Sequence, residues 1–249
     1  MASSSKKNIA FDLYGTLLST ESIAVELAKV FGDDAARSIS PLWRRYQLEY
    51  TWRINSMGIY RPFSDITRGA LEHAVAESGA ALSAGDSDRL VEAYDALRVF
   101  PDVPAALDAV RAQAAEGAIE AYVFSNGTDA MVSESIATSP DLQAYADVFK
   151  GLVTVHDDGV RVFKPDMRTY DHLVRAVGKE GRPGDVWLVT GNPFDVIGAR
   201  VAGLSAAWVD RAGKGWVDRL GDVVGGIKPT LVVSGVDAAV EEIVRSASS

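Results

Sequence analysis

The chain has 249 residues, with 34 acidic and 25 basic side chains and a formal charge of −9. This length allows one or two domains with a large buried core. The acidic balance argues against a nucleic-acid or membrane partner, since both require a basic surface. Without any cysteine, the chain cannot form disulfides, thiolate nucleophiles or Cys-based metal sites. Residues 1–7 carry no apolar stretch typical of a signal peptide or membrane span, so we expect a cytoplasmic protein.

Short apolar runs that end in polar residues recur along the chain and predict buried parallel strands. These runs cover residues 9–11, 119–124, 159–163, 186–189 and 206–209, with a further segment at 231–233. The helical stretches between them end close to a glycine and cover residues 104–115, 167–177 and 196–202. This alternation predicts an α/β fold, in which helices cover a doubly wound, mainly parallel sheet.

Residues 19–99 interrupt the alternation, because apolar residues there recur at helical spacing over several segments. Such a block, placed after the first strand, indicates a separate helical domain. We therefore predict an α/β core from residues 1–18 and 100–249, and an inserted helical cap from residues 19–99.

Polar residues follow four of the predicted strands: Asp12, Ser125 with Asn126, Lys164, and residues 192–195. In an open parallel sheet the ligand crevice lies outside the carboxyl ends of the strands. A single aspartate at a strand end is usually a turn or capping residue. Four polar strand ends at one edge instead favour a functional site.

Four segments resemble, in order and spacing, the motifs of the haloacid dehalogenase superfamily: residues 11–17 (FDLYGTL), 125–127 (SNG), 164–165 (KP) and 191–195 (GNPFD). In the predicted cap, residues 42–44 (LWR) and 47–52 (QLEYTW) are similar to the L-2-haloacid dehalogenase branch. The resemblance covers nearly the whole chain and weakens towards its last segment. It implies the haloacid dehalogenase core, a Rossmann-like α/β layer, with a cap.

Two positions indicate which chemistry of the superfamily to expect. Its phosphatases have an aspartate two residues after the nucleophile and an acidic Mg²⁺ ligand in the fourth motif. This chain has Tyr14 and Asn192 at those positions, and a neutral amide is a poor ligand for a hard cation. Phosphoryl transfer is therefore disfavoured, and we expect neither a metal nor another cofactor.

The resemblance implies that Asp12 displaces a leaving group at C2 of a small 2-substituted carboxylic acid, forming an aspartyl ester. The expected reaction converts (S)-2-haloalkanoic acids to (R)-2-hydroxyalkanoic acids. In this scheme Lys164 keeps Asp12 ionised, and Arg44 with Asn126 accepts the halide. Ser125 and nearby backbone N–H groups bind the substrate carboxylate.

The resemblance also implies that Asp195 and Asn192, together with Thr16, position and activate the hydrolytic water. The positions that match the substrate pocket are Leu13, Tyr14, Leu48, Phe63, Tyr170, Thr190 and Phe194. Several of these roles have a simpler alternative. Arg44 could be a solvated helix arginine, Asp195 a carboxylate at a helix N-terminus, and the leucines and phenylalanines ordinary core residues.

The chain departs from the family where Thr190-Gly191-Asn192 replaces the usual Ser-Ser-Asn and Phe194 replaces a tryptophan. These departures leave two alternatives open: a related hydrolase that opens azetidine-2-carboxylate, and a catalytically idle protein that binds a ligand on the same fold. Related enzymes pair through their caps. The aromatic residues Trp43, Tyr46, Tyr50 and Trp52 predict a homodimer formed in that way.

Overall fold

The computed structural model describes residues 6–156 and 159–246. Within these ranges six strands form one parallel sheet. They are β1 (Lys7–Phe11), β2 (Ile119–Ser125), β3 (Phe149–Thr154), β4 (Val186–Thr190), β5 (Ser205–Val209) and β6 (Leu231–Val233). Their order across the sheet is β3-β2-β1-β4-β5-β6. The two central strands are therefore β1 and β4, which carry the first and fourth motifs.

Helices occupy the connections between the strands, and one more follows the last strand. They are α1 (Ala24–Phe31), α2 (Asp33–Ser56), α3 (Phe63–Glu77), α4 (Ala84–Ala93), α5 (Val103–Ala115), α6 (Asp129–Thr138), α7 (Met167–Ala176), α8 (Pro193–Val201), α9 (Leu220–Val223) and α10 (Val236–Arg245). One face of the sheet, with Ile9 and Phe11, packs on α5 and α10, and the other, with Ala10, packs on α7 and α8. Burial on both faces explains the continuous apolar runs of the strands. The predicted α/β fold with a doubly wound sheet is confirmed.

Five of the six predicted strands are present, but the strand predicted over residues 159–163 is wrong. That segment forms a turn and irregular backbone, although Val160, Val162 and Phe163 are buried. The strand at this edge of the sheet is β3, which pairs only with β2. Lys164 therefore does not end a strand, and it reaches the site from the segment that precedes α7, where Val162, Phe163 and Lys164 are buried.

Helices α1 to α4 lie between β1 and β2, where the sequence predicts a cap. The two chain segments that join this block to the sheet run side by side. Leu18 and Val99 form an antiparallel bridge, and the Phe100 N–H donates to the Leu17 carbonyl at 3.1 Å. The division into core and cap domains stays a prediction.

The aromatic residues of α2 do not form the exposed surface from which the sequence predicts a dimer. Trp43 is buried, and its indole N–H donates to the Thr67 carbonyl at 2.8 Å. Tyr46 is also buried, whereas Trp52 is 41% exposed. Most of this aromatic surface therefore packs within the chain.

In the described ranges the structure has no helix both long and apolar enough to span a membrane.

Candidate active site

Asp12 lies directly after β1, at the carboxyl end of the sheet, and its carboxylate is held by four side chains. Its Oδ2 accepts hydrogen bonds from Asn192 Nδ2 at 2.7 Å, Thr16 Oγ1 at 2.8 Å and Thr190 Oγ1 at 3.3 Å. Its Oδ1 contacts Lys164 Nζ at 3.1 Å. The two oxygens of one carboxylate therefore have different surroundings, one with three neutral donors and the other beside a cation.

Lys164 is almost fully buried, with 1% of its surface exposed. Its ammonium donates to Asp12 Oδ1, to Asp195 Oδ2 at 2.9 Å and to the Phe124 carbonyl at 2.8 Å. It also lies 4.0 Å from the centre of the Phe124 ring. A buried ammonium is stable only when it is paired and hydrogen-bonded, and here each of its three N–H groups has an acceptor. Lys164 thus joins two carboxylates in one buried ionic group.

Asp195 lies in the first turn of α8 and is fully buried. Besides Lys164, it contacts Tyr170, whose hydroxyl donates to Asp195 Oδ1 at 2.7 Å. Burial is the main reason that the pKa of Asp195 is raised, and the charge of Asp12 raises it further, while Lys164 and Tyr170 lower it. Burial also raises the pKa of the Tyr170 phenol well above its usual value, so this hydroxyl stays a proton donor. Asp195 is therefore both a carboxylate at a helix N-terminus and a member of the site, so its two alternative roles do not exclude each other.

Arg44 extends from α2 to the loop that follows β1. Its guanidinium donates to the Tyr14 carbonyl at 2.9 Å and lies 3.5 Å from Asn192 Oδ1. The Tyr14 ring stacks on Phe63, with ring centres 6.2 Å apart, and its hydroxyl is 2.9 Å from the hydroxyl of Ser135. Burial raises the pKa of Tyr14 far above its usual range. At the position where phosphatases carry an acidic residue, the chain therefore presents a neutral, buried phenol.

A small cavity at this point holds most of the residues that the sequence predicts for the site. Its lining residues are Asp12, Tyr14, Arg44, Leu48, Phe63, Ser125, Asn126, Lys164, Asn192 and Phe194. The volume is about 10 Å³, enough for one water molecule. Thr16, Thr190 and Asp195 lie behind this lining, in contact with Asp12 or Lys164. The side chain of Leu13 packs in the hydrophobic core instead.

The site residues do not fit a magnesium ion of the type that phosphatases of this superfamily use. The Lys164 ammonium occupies the space between the carboxylates of Asp12 and Asp195, and Asn192 directs its amide N–H, rather than its oxygen, to Asp12. Within the described part of the chain, no cluster of three or more His, Cys, Asp or Glu residues could hold a metal ion. A cation placed between the two carboxylates would have to displace Lys164.

Sequence patterns give no sign of several residues that complete this arrangement. Phe124 contributes a carbonyl and a ring face to Lys164, and Ser135 contacts the hydroxyl of Tyr14. Gly198 lies beneath the ring of Tyr170, and Asn55 contacts Phe163, just before Lys164. They act through a backbone carbonyl, a ring face, a hydroxyl, a small size or a single amide, and none of these belongs to a recognisable motif. Only a three-dimensional structure reveals such contributions.

Comparisons with known proteins agree with this fold and site. A family model described as haloacid dehalogenase-like hydrolase matches residues 6–203, and the chain belongs to this family. Within it, the chain is 35% identical to an (S)-2-haloacid dehalogenase of Pseudomonas sp. (strain YL), over 83% of this chain and 84% of that protein. It is 32% identical to a haloacetate dehalogenase of Moraxella sp. (strain B), over 94% and 96% of the two chains.

Solved structures give the same result for the fold. The chain is similar to an L-2-haloacid dehalogenase from Xanthobacter autotrophicus with chloropropionic acid covalently bound, with a TM-score of 0.79 and 26% identity. This match covers 96% of this chain and 98% of the other. The resemblance inferred from four short motifs thus extends over both the sheet and the helices between β1 and β2.

Proposed function

We propose that this protein is an (S)-2-haloacid dehalogenase that converts (S)-2-haloalkanoic acids to (R)-2-hydroxyalkanoic acids through an ester on Asp12. The observation that carries the proposal is the unequal environment of the two Asp12 oxygens. A covalent mechanism requires one Asp12 oxygen that attacks C2 of the substrate. It also requires hydrogen-bond donors to the other Asp12 oxygen, on which negative charge develops when the ester is hydrolysed. The contacts of Asp12 supply both.

In the first step Oδ1 of Asp12 attacks C2 of the substrate, the carbon–halogen bond breaks, and the halide leaves with the bonding electrons. Among the described residues, Oδ1 has only Lys164 as a donor, whereas three donors already occupy Oδ2. Oδ1 therefore keeps a lone pair for the attack. Lys164 keeps this carboxylate ionised and oriented.

The substrate is bound by groups that face the cavity from both sides. Ser125 and the backbone N–H groups that follow β2 bind the substrate carboxylate, as turns that begin a helix do for anions. Arg44, together with Asn126, stabilises the departing halide. Leu48, Phe63 and Phe194 enclose the alkyl group on the cap side and at the start of α8.

In the second step water attacks Cγ of the ester, the bond from Cγ to Oδ1 breaks, and Oδ1 leaves on C2 as the alkoxide of the product. Oδ2 is now the ester carbonyl oxygen, and negative charge develops on it. Thr16, Thr190 and Asn192, which donate to Oδ2, act as the oxyanion hole for this step.

Asp195 accepts one proton of the water, and its raised pKa makes it a stronger base than an ordinary aspartate. The product alkoxide takes a proton from the Lys164 ammonium beside it, and Lys164 regains one from Asp195, which it also contacts. The other proton of the water passes to solvent when Asp12 returns to its carboxylate form.

A single turnover in H₂¹⁸O, with enzyme in excess, tests the covalent route. If Asp12 is the nucleophile, the first product carries unlabelled oxygen and the label appears in the peptide that contains Asp12. Asp12→Asn, freed of deamidated protein, serves as the control and should release no halide. Label in the first product, with none on the peptide, would show direct attack by water.

A substrate panel tests the reaction class. We expect halide release from (S)-2-halo acids with inversion at C2, no opening of azetidine-2-carboxylate, and no change on addition of EDTA or Mg²⁺. Opening of the azetidine ring without dehalogenation would identify the related hydrolase, and inactivity towards every compound an idle binding protein. Hydrolysis of phosphate monoesters that depends on Mg²⁺ would contradict the proposal.

We further propose a homodimer located in the cytoplasm. Fewer aromatic residues of α2 support the dimer than the sequence predicts, because Trp43 and Tyr46 are buried within the chain. Trp52, which is exposed, and Tyr50, which is half-buried, remain available for such an interface. Analytical ultracentrifugation tests the oligomeric state, and cell fractionation tests the location. A purely monomeric protein at working concentration would refute the dimer.

A further inference from the structure

Asn55, in the last turn of α2, makes an unusual pair of contacts with the chain beside Lys164. Its side-chain Nδ2 donates to the Phe163 carbonyl at 2.7 Å, and its Oδ1 accepts from the Phe163 N–H at 3.0 Å. One amide side chain therefore satisfies both backbone hydrogen-bonding groups of the residue that precedes Lys164. Buried backbone groups require such partners, and this segment has no strand to supply them.

The backbone of Lys164 itself is held by a second asparagine. Its N–H donates to Asn126 Oδ1 at 2.9 Å, and Asn126 belongs to the loop after β2. Two amide side chains thus fix the consecutive buried residues Phe163 and Lys164, Asn55 from the helical block and Asn126 from the loop after β2. Tyr60 adds a ring stacked on Phe163, with ring centres 5.2 Å apart.

Asn55 also shares a helix with the residues that enclose the substrate. Arg44, Leu48 and Asn55 are spaced by four and seven residues, which places them on one face of α2 over about three turns. Arg44 and Leu48 line the cavity, while Asn55 contacts the loop of Lys164. A single rigid helix therefore contacts the substrate site at one point and the loop of Lys164 at another.

We propose that Asn55 is a positioning residue, which sets Lys164 against Asp12 and Asp195 only when α2 is seated on the sheet. The expected effect on kcat rests on the proposed function, whereas the expected effect on the position of Lys164 does not. When α2 moves away, Phe163 loses both partners and the loop relaxes, so that Lys164 no longer pairs with both carboxylates. The nucleophile is then fully assembled only over a closed site.

The test compares Asn55→Ala with Asn8→Ala. Asn8 is also a buried asparagine bonded to a backbone carbonyl, that of Val177 at 3.1 Å, but it lies outside the site. We expect Asn55→Ala to lower kcat by up to about a hundredfold, as small misplacements of a reacting group do, with a much smaller change in KM. Asn8→Ala should lose stability and keep kcat.

A second readout does not depend on activity. Acylation of lysines followed by mass spectrometry should show faster labelling of Lys164 in Asn55→Ala than in wild type. Lys179, whose side chain is 12% exposed, reports any general loosening, and its labelling should stay unchanged in Asn55→Ala.

The pH dependence of kcat is a third readout. Lys164 lowers the pKa of Asp195, so weaker pairing between them raises this pKa. The acid limb of kcat should therefore move to higher pH in Asn55→Ala.

Asn55→Asp adds a conservative variant. A protonated carboxyl has one donor and one acceptor, like the amide, whereas the ionised form cannot donate to the Phe163 carbonyl. The activity of Asn55→Asp relative to wild type should therefore rise as the pH falls. Unchanged kcat and unchanged Lys164 labelling in Asn55→Ala would overturn the proposal. If wild type releases no halide but Lys164 labelling still rises, the proposed function fails and the positioning role stands.

Discussion

Tyr170 reaches Asp195 because residue 198, on the facing side of α8, is a glycine. A Cβ at this position would lie 2.6 Å from Cε2 and 2.7 Å from Cζ of the Tyr170 ring, distances that real Cβ atoms do not show. The ring is fully buried and cannot move into solvent. The hydrogen bond from the Tyr170 hydroxyl to Asp195 therefore depends on a residue that has no side chain.

We expect Gly198→Ala to displace the phenol and to lower kcat to about the level of Tyr170→Phe, which removes only the hydroxyl. Loss of a hydrogen bond to a buried carboxylate corresponds to roughly a tenfold to hundredfold decrease. The Tyr170 hydroxyl lowers the pKa of Asp195, so the acid limb of kcat should move to higher pH in Tyr170→Phe. Steady-state kinetics across a pH series checks both effects. A Gly198→Ala enzyme with wild-type kcat and pH profile would contradict this account.

Local packing explains why this chain has a glycine at position 191, where the family usually has serine. A Cβ at Gly191 would lie 2.6 Å from the backbone oxygen of Gly15, in the loop that follows Asp12. We expect Gly191→Ser, which restores the residue usual in the family, to destabilise the protein by about 1–3 kcal/mol and to reduce activity. Thr190→Ser is the matched control, because it keeps the hydroxyl that contacts Asp12. Urea unfolding and halide release measure the two effects, and equal behaviour of both variants would refute the steric argument.

Residues at strand ends could be predicted from the sequence because parallel strands direct their last residues to one edge. Asp12, Ser125 and Asn192 follow this rule. Asn55 and Gly198 could not be predicted in this way, since a polar residue on a helix and a glycine in a helix are common for many reasons. Their roles depend on which loop or ring the fold brings against them.

The contact between α6 and the short helix at residues 94–96 contains a buried acid, Asp95. Oδ1 of Asp95 is buried and has no hydrogen-bond partner among the described residues. Burial is the main cause that raises the pKa of Asp95 to about 6, and the charges of Glu134 and Glu92 raise it further. This carboxylate is therefore least stable in its ionised form.

The stability of the protein should depend on pH through Asp95. Its pKa is higher in the folded than in the unfolded chain, so the folded state binds more protons between about pH 4 and about pH 6. The contribution of Asp95 to stability is thus present at low pH and is lost as the pH rises through this range. We expect Asp95→Asn to unfold at a higher urea concentration than wild type near pH 8, with little difference near pH 4. A constant difference at both pH values would argue against titration of Asp95.

The two errors in the predicted strands have the same physical origin. Val160, Val162 and Phe163 are apolar and buried, yet this segment forms a turn and irregular backbone instead of a strand. β3 does pair, but as an edge strand it leaves Lys150 and Leu152 exposed and so lacks a continuous apolar run. Apolar runs report burial and not strand pairing, so the sequence alone could not distinguish these segments.

The helical block covers the carboxyl edge of the sheet and leaves very little space for a ligand. Arg44 and Leu48 of α2 and Phe63 of α3 form one side of the cavity, and its volume is about 10 Å³. Even a three-carbon haloacid needs several times the space of one water molecule. We therefore expect substrate to enter, and product to leave, when the helical block moves relative to the sheet.

This requirement leads to a prediction that the absence of cysteine makes simple to test, because any introduced thiols are unique. Tyr60 lies on the helical side and its hydroxyl is 2.8 Å from Nδ1 of His156, which follows β3. We expect the double variant Tyr60→Cys with His156→Cys to release halide before cross-linking and to lose nearly all turnover once a short bis-maleimide joins the two thiols. The same variant treated with N-ethylmaleimide, which modifies each thiol without joining them, controls for the modification itself. Because the linker holds the site closed, it blocks exchange of substrate and product with solvent. Unchanged turnover in fully cross-linked protein would show that substrate enters without movement of the helical block.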